Sequence, residues 1–471
     1  MLQQPLTDVD IEPGHVVEWS LTRSGTQHGS HRPTSYNQFK HYTSGLEESA
    51  GSAPLRSWIA LVLELPGAPD RPAFRAALRE LLTRHEILRC DFERVGSDGD
   101  LTCAVIDPDT VSTSPHDIGP VDTTEALRDY LFAYFYDRID VGSWPLIAVG
   151  TVERTRSTTV FVACDHLVSD GGSVPVIARD LAAAYRAETD GGTADLPQVG
   201  SYVAFTEQQR KEFDEVDAED PRLASWRAFM DRNGGFFPRF PLDLGIEDGT
   251  TMHPATNRTD RLLGPDDAET LAARCKEQGV RMSAALLAAT GIALRDGGGP
   301  EQYRGFLPVN ERGRGDLTDS VGWYVNTMPV EFTVAADLDV DDIIAAANNA
   351  MTGMLADIEV PFVKAWYALA PELAELPAWP YAVNFFSYMD FRKAAGGDDP
   401  TVAGATMHVW SSGSNGICHW FHRNNTGIHV NTIRVDTPEA RTTERTTIEH
   451  VRRTLAGLTA GAVRGTALTH P

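Results

Sequence analysis

Residues 161–173 read FVACDHLVSDGGS. An apolar run stops at Asp165 and His166, and the chain then passes through Ser169, Asp170, Gly171 and Gly172. The stretch TTVFVACDH has the short apolar composition of a buried strand, and VPVIARDLAAAYRAETD after it has helical spacing. On a strand, adjacent side chains point to opposite faces, so Asp165 and His166 are expected to diverge. The end of a strand is where α/β sheets commonly present reactive groups. An imidazole there can take a proton near neutral pH. The Asp170 carboxylate can accept from that ring, or pair with an arginine and brace the loop. Gly171 and Gly172 permit backbone angles closed to other residues and let another chain or a ligand come close. Taken alone, a histidine near an aspartate is more often a satisfied structural pair than a catalytic one. Cys164, inside the apolar run, reads as core rather than nucleophile.

Outward from this stretch, strands and helices alternate. SWIALVLEL is a strand, and DRPAFRAALRELLTRHEILR is a helix capped by Asp70, with Pro72 in its first turn and Phe74, Leu78, Leu81, Leu82 and Ile87 at helical spacing. TTEALRDYLFAYFYDRI is a second amphipathic helix. This order is an α/β signature. AETDGGTADLPQVG (187–200) has the composition of a linker. Beyond it come the helices MSAALLAATGIALRD and VDDIIAAANNAMTGMLAD and the strands QYRGFLPVN, WYVNTMPVEFTV, ATMHVWSS, GICHWFHRN and TGIHVNTIRVD. A chain of 471 residues is too long for one ordinary core. Two α/β domains are expected, over 1–195 and 196–471.

The formal net charge of −25 argues against nucleic acid or an anionic membrane as partner. No apolar stretch reaches the roughly 20 residues that span a bilayer, and MLQQPLTDVDIEPG lacks the pattern of a signal peptide. The five cysteines are scattered without CxxC spacing. They read as reduced thiols, so a cytoplasmic protein is expected. There is no GxSxG elbow, P-loop or GxGxxG after a strand. His28 and His31 in HGSH, and His419 and His422 in HWFH, have weak metal-like spacing. Surface or β-face histidines explain them better, and no metal is expected.

Five motifs in order carry a resemblance: RHEILRCDF (84–92), RIDVGSWPL (138–146), DHLVSDGGS (165–173), LPVNERGR (307–314) and SVGWYVNTMPV (320–330), with PTSYNQ preceding them from residue 33. Together they resemble the condensation-domain superfamily, which includes chloramphenicol acetyltransferase, nonribosomal peptide condensation domains and polyketide-associated acyltransferases. DHLVSDGG matches the HHxxxDG motif with Asp165 in place of the first histidine. FPRFPLDLG and the closing strands are similar to the stand-alone acyltransferases.

The resemblance implies two chloramphenicol-acetyltransferase-like α/β sandwich domains forming a V-shaped pseudodimer with the site in a channel between them. It implies His166 as the catalytic histidine. Asp170 is expected to pair with Arg312 and so join the two domains. Gly171 is expected to admit a pantetheine arm, and Asp165 to point away. Ser173 and Asn310 match polar positions flanking the site. Trp323 and Tyr324 are possible channel residues, although aromatics in strands are more often core. Backbone N–H groups of the glycine turn or of GWY are candidate oxyanion donors. The implied activity moves an acyl or aminoacyl group from a phosphopantetheine thioester to a small-molecule hydroxyl or amine, without a permanently bound cofactor. The thioester sits on an acyl or peptidyl carrier protein or on coenzyme A. A tailoring role in natural-product, antibiotic or glycolipid assembly is favoured, with ester ahead of amide. The alternatives are a catalytically inactive member that only docks carrier proteins, and an epimerising relative, against which the missing first histidine argues.

Overall fold

The computed structural model describes residues 1–25, 30–46, 56–95, 99–246, 252–313, 315–357, 359–376 and 379–460. His28 and Arg314 of the motifs above lie outside the described residues. The strands of the N-terminal part are β1 (Leu2–Gln3), β2 (Gly14–Arg23), β3 (Arg32–Pro33), β4 (Ser57–Pro66), β5 (Cys90–Arg94), β6 (Leu101–Val105), β7 (Val111–Val121), β8 (Ile147–Glu153) and β9 (Ser157–Asp165). Those that follow are β10 (Ala255–Leu263), β11 (Gln302–Asn310), β12 (Val325–Thr333), β13 (Phe385–Asp390), β14 (Thr406–Ser411), β15 (Ile417–Asn424) and β16 (Gly427–Val435). The first five helices are α1 (Tyr36–Leu46), α2 (Arg71–Arg84), α3 (Thr124–Arg138), α4 (Ser173–Thr189) and α5 (Tyr202–Phe213).

The chain divides into two compact units. The first comprises 1–215, 310–325 and 391–412; the second comprises 216–309, 326–390 and 413–471. The expected cut at 195/196 therefore falls inside the first unit. Helix α5 belongs to that unit because Glu86, just past α2, accepts from the Val203 N–H (3.1 Å) and the Ser201 hydroxyl. The first unit also takes in 391–412, because β14 lies between β1 and β4 in its main sheet.

That sheet has the order β1-β14-β4-β9-β8-β2-β7. β9 is central, antiparallel to β4 on one side and β8 on the other. Its eight C-terminal residues are buried in an unbroken run, because both sheet faces are covered. On one face, Leu127, Leu131, Tyr134 and Phe135 of α3 join Trp58, Ala60, Val62, Phe161 and Ala163 in one core. The alternate residues Ile59, Leu61 and Leu63 are buried as well; α4 packs on β4 and α2 packs on α4. Helix α2 begins as its sequence dictates, with the Asp70 carboxylate accepting from the Ala73 N–H (2.9 Å) and Pro72 in the first turn. It stops at Arg84, and Glu86–Arg89 continue as a 3₁₀ turn.

The second unit is built on a six-stranded sheet, β10-β16-β15-β13-β11-β12. The apolar helix Met282–Asp296, with Ala284 to Leu294 all buried, packs against the helices Val340–Asp357 and Pro438–Thr459. Among the described residues, no helix is long and apolar enough to cross a membrane.

Candidate active site

Strand geometry ends at Asp165, and His166 opens a 3₁₀ turn, His166–Val168. The strand therefore does not carry its alternation through to the imidazole. Asp165 instead caps the turn, its carboxylate accepting from the Leu167 N–H at 2.7 Å. Because β9 pairs antiparallel on both sides, this turn, rather than a parallel-sheet crevice, presents the histidine. The Asp165 backbone N–H is held by the Leu146 carbonyl (3.0 Å), so RIDVGSWPL fixes the strand end.

Asp165, expected to point away from His166, reaches a second imidazole. The same oxygen meets His41 Nε2 at 2.8 Å, with both side chains largely buried. His41 comes from α1, whose start is a capping box: the Ser35 hydroxyl accepts from the Gln38 N–H (3.1 Å) and the Gln38 side chain accepts from the Ser35 N–H (3.0 Å). The Gln38 amide donates onward to the Leu167 carbonyl at 2.8 Å. Residues three apart share a helix face, so tying Gln38 to the turn brings His41 over Asp165. The His41 and His166 ring centroids are 6.0 Å apart.

His166 is partly exposed, while its Nδ1 is buried without a partner residue. The Nε2 edge is thus the accessible one. Trp323 lies across the imidazole, ring centroids 3.8 Å apart and planes inclined by 32°. Burial pushes the imidazole below its usual range, and the neighbouring His41 lowers it further; Asp170 and Asp165 act in the opposite sense with less effect. The ring is therefore held in its neutral, proton-accepting form.

Asp170 and Arg312 meet as expected, in a two-pronged pair with Nη1–Oδ2 2.8 Å and Nη2–Oδ1 2.7 Å. Both are almost fully buried. Burial alone would raise the Asp170 carboxyl, but Arg312, the Ser173 hydroxyl and the Tyr324 N–H (3.0 Å) outweigh it and hold the group below the usual carboxylate range. Arg312 also donates through Nε to the Ser320 carbonyl (3.0 Å) and lies over the Tyr324 ring at 4.6 Å. The pair does not join separate domains: 310–325 belongs to the same compact unit as Asp170. It fastens that segment, and Trp323 with it, beside the motif turn.

Several expected site residues are structural instead. Ser173 is fully buried and bonds Asp170, Arg312 and Gly322. Tyr324 is fully buried, its hydroxyl on Ser320 at 2.8 Å, so only Trp323 of the aromatic pair is placed at His166. Asn310 is exposed, its side chain accepting from the Arg312 N–H at 3.0 Å. Of the candidate oxyanion donors, the N–H groups of Gly322 and Tyr324 are already committed to Ser173 and Asp170. Neither Gly171 nor Gly172 adopts a left-handed angle. Space is what requires glycine: a Cβ on Gly172 would sit 2.7 Å from Arg312 Nη1, and one on Gly322 would sit 2.2 Å from the Tyr202 ring. The Cys164 thiol is buried and pushed upward by burial and by Asp165, so it is no nucleophile at neutral pH.

The arginine-histidine-glutamate helix end is a brace. His85 Nε2 and Arg84 Nε both reach Asp180 Oδ2, at 2.8 and 3.1 Å. His419 and His422 are buried within β15, three residues apart and hence on opposite faces, and His31 only meets Thr102. Among the described residues no cluster of three or more histidine, cysteine or acidic side chains has metal-ligand geometry. Sequence reasoning missed His41 and Gln38. Only the Ser-x-x-Gln spacing of 35–38 signalled a helix start, and nothing local linked His41 to Asp165.

A buried Asp–Arg brace thus lies one turn beyond a part-exposed histidine. The condensation-domain family model covers residues 54–376. The chain belongs to the condensation-domain family. Within it, a similar protein is the 2'-acyl-2-O-sulfo-trehalose (hydroxy)phthioceranyltransferase PapA1 of Mycobacterium tuberculosis, 28% identical over 387 residues, which span 80% of this chain and 73% of that one. Acyltransferase PapA3 of the same organism is 25% identical over 76% of this chain and 75% of its own length. Among solved structures, a PapA2 acyl transferase superposes with a TM-score of 0.83 at 21% identity, covering 98% of this chain and all of that one. The first condensation domain of the calcium-dependent antibiotic synthetase gives 0.70 at 18% identity over 92% and 97%. These neighbours share the chloramphenicol-acetyltransferase-like α/β fold. With acyltransferase relatives along most of its length, this condensation-family chain is an acyltransferase.

Proposed function

We propose that the chain is a free-standing acyltransferase that esterifies a sugar-type hydroxyl with an acyl group delivered as a phosphopantetheine thioester. The observation that carries this reading is the His166 imidazole, neutral, accessible on its Nε2 edge and clustered with the His41 and Trp323 rings. A thioester is already activated, so no acyl-enzyme is needed. The acceptor oxygen attacks the thioester carbonyl while His166 Nε2 takes the hydroxyl proton. The tetrahedral intermediate then collapses, the C–S bond breaks, and the thiolate leaves to be protonated, yielding ester and free thiol. General-base catalysis of this kind contributes about 10²–10⁴-fold, and alignment of the two substrates adds to it. Asp170 and Arg312 shape the turn and take no part in proton transfer.

The hydroxyl acceptor, rather than an amine, is favoured by the names of the relatives: PapA1 is named for an acylated sulfo-trehalose, and PapA2 as a trehalose-2-sulfate acyltransferase. A glycolipid setting fits this better than peptide antibiotic assembly. The donor arrives on a carrier protein or on coenzyme A. The test incubates the purified chain with acyl-coenzyme A and acyl-carrier-protein thioesters and a panel of trehalose, sulfated trehalose, simple alcohols and amines, with products read by mass spectrometry. Ester product on a sugar supports the reading. Amide product alone contradicts the acceptor class, and thiol release without product from any donor favours a chain that only docks its carrier.

A further inference from the structure

The acid-base chemistry around His166 includes a residue outside every motif. His41 stands one helical turn beyond Gln38, which anchors α1 to the motif turn through the Leu167 carbonyl. Its Nε2 is 2.8 Å from Asp165, its ring centroid 6.0 Å from that of His166 and 5.5 Å from that of Trp323, which it meets edge-on at 76°. Trp323 covers His166 at 3.8 Å. The three rings form one cluster, and Asp165 is the carboxylate bonded within it.

Among the described residues, the groups that act on His166 are His41 from α1, Asp165 at the end of β9 and Asp170 in the turn after it, with the uncharged Trp323 ring from 310–325 across its face. Asp170 is committed to Arg312, Ser173 and the Tyr324 N–H. Asp165 is committed to Leu167 and His41. A charge on His41 would have the Asp165 carboxylate as counterion at hydrogen-bond distance, a partner that His166 lacks among the described residues. That charge opposes a proton on the neighbouring His166 ring.

We propose that His41, with Asp165 as its counterion, is a positioning residue for the acyl transfer whose imidazolium charge keeps His166 unprotonated and ready to act as base. An aspartate in place of the first motif histidine thus has a function: it moves the partner imidazole from the motif onto α1. The claim rests on His166 being the base, and its test separates the two. Ring signals of His166 are followed by NMR against pH in the parent and in His41→Gln, which can keep a hydrogen bond to Asp165 but carries no charge, and in parallel kcat/KM is measured against pH. The His166 midpoint and the acid limb of kcat/KM are both expected to move up by about half a pH unit or more. His41→Lys, which restores a cation, is expected to bring both back toward the parent. His41→Leu carries the same test if the glutamine variant does not fold. An unchanged His166 midpoint in the uncharged variants overturns the proposal, whatever their activity. A midpoint that rises while the rate profile stays still keeps the tuning role for His41 and removes the base role from His166.

Discussion

At the scale of the residue, the site is a neutral imidazole whose environment does the selecting. Trp323 contacts the His166 face, and an aromatic pair of this kind is worth about 0.5–1.5 kcal/mol beyond its burial. Trp323→Leu is therefore expected to lower kcat/KM by roughly 2- to 12-fold, with Trp323→Phe recovering most of the loss; steady-state kinetics on a thioester donor checks it. Equal rates in all three proteins would mean that the stack does not orient the base. The place of His166 at the strand end and the pairing of Asp170 with Arg312 were legible through the family resemblance that the motifs carry. His41 was not, because 124 residues separate it from Asp165. Asp165 was misread because alternation was extended one residue past the point where the strand gives way to a 3₁₀ turn.

At the scale of the element, the Asp170–Arg312 pair is what fastens 310–325 to the turn that follows β9. Removing one member leaves the other charge buried without compensation, which costs about 3–5 kcal/mol. Asp170→Asn should show that loss in urea midpoints. The double variant Asp170→Leu/Arg312→Met should lose less than Asp170→Asn alone, because no charge is stranded. A loss below about 1 kcal/mol for Asp170→Asn would contradict the brace. Elements such as α2, α3, β4 and β9 were readable because the helices bury residues at helical spacing and the strands are short apolar runs. β7 was not: VSTSPHDIGPV contains two prolines and a glycine, and only its place at the sheet edge tolerates them. Helix α5 was hidden by the Gly- and Pro-rich stretch just before it, whose linker composition drew the domain boundary too early.

At the scale of the whole molecule, the insertion of β14 beside β4 and the return of 310–325 to the first unit depend on pairings across hundreds of residues, which no local pattern encodes. Buried histidines give the chain a collective pH response. His85, His166, His408, His419, His422 and His429 all lie below the ordinary value of 6.5 in the fold, chiefly through burial, with His408, His419 and His429 at about 4 and His422 at about 3. Below 6.5 the unfolded chain takes up these protons and the native chain does not, so stability falls as pH drops from 6.5 toward 4. Asp170 and Asp180, held below the usual carboxylate range, contribute stability that is fully present above about 3.9 and lost as pH falls through their native values. Denaturant midpoints should decline steadily from pH 7 to pH 4; a flat profile would contradict the buried neutral state of these rings. The central claim, that His166 removes the acceptor proton, is tested most directly by single-turnover acyl transfer from a thioester to a sugar acceptor in the parent and in His166→Ala. The account predicts a rate lower by about 10²–10⁴-fold with donor binding retained, and a variant that transfers at the parental rate would contradict it.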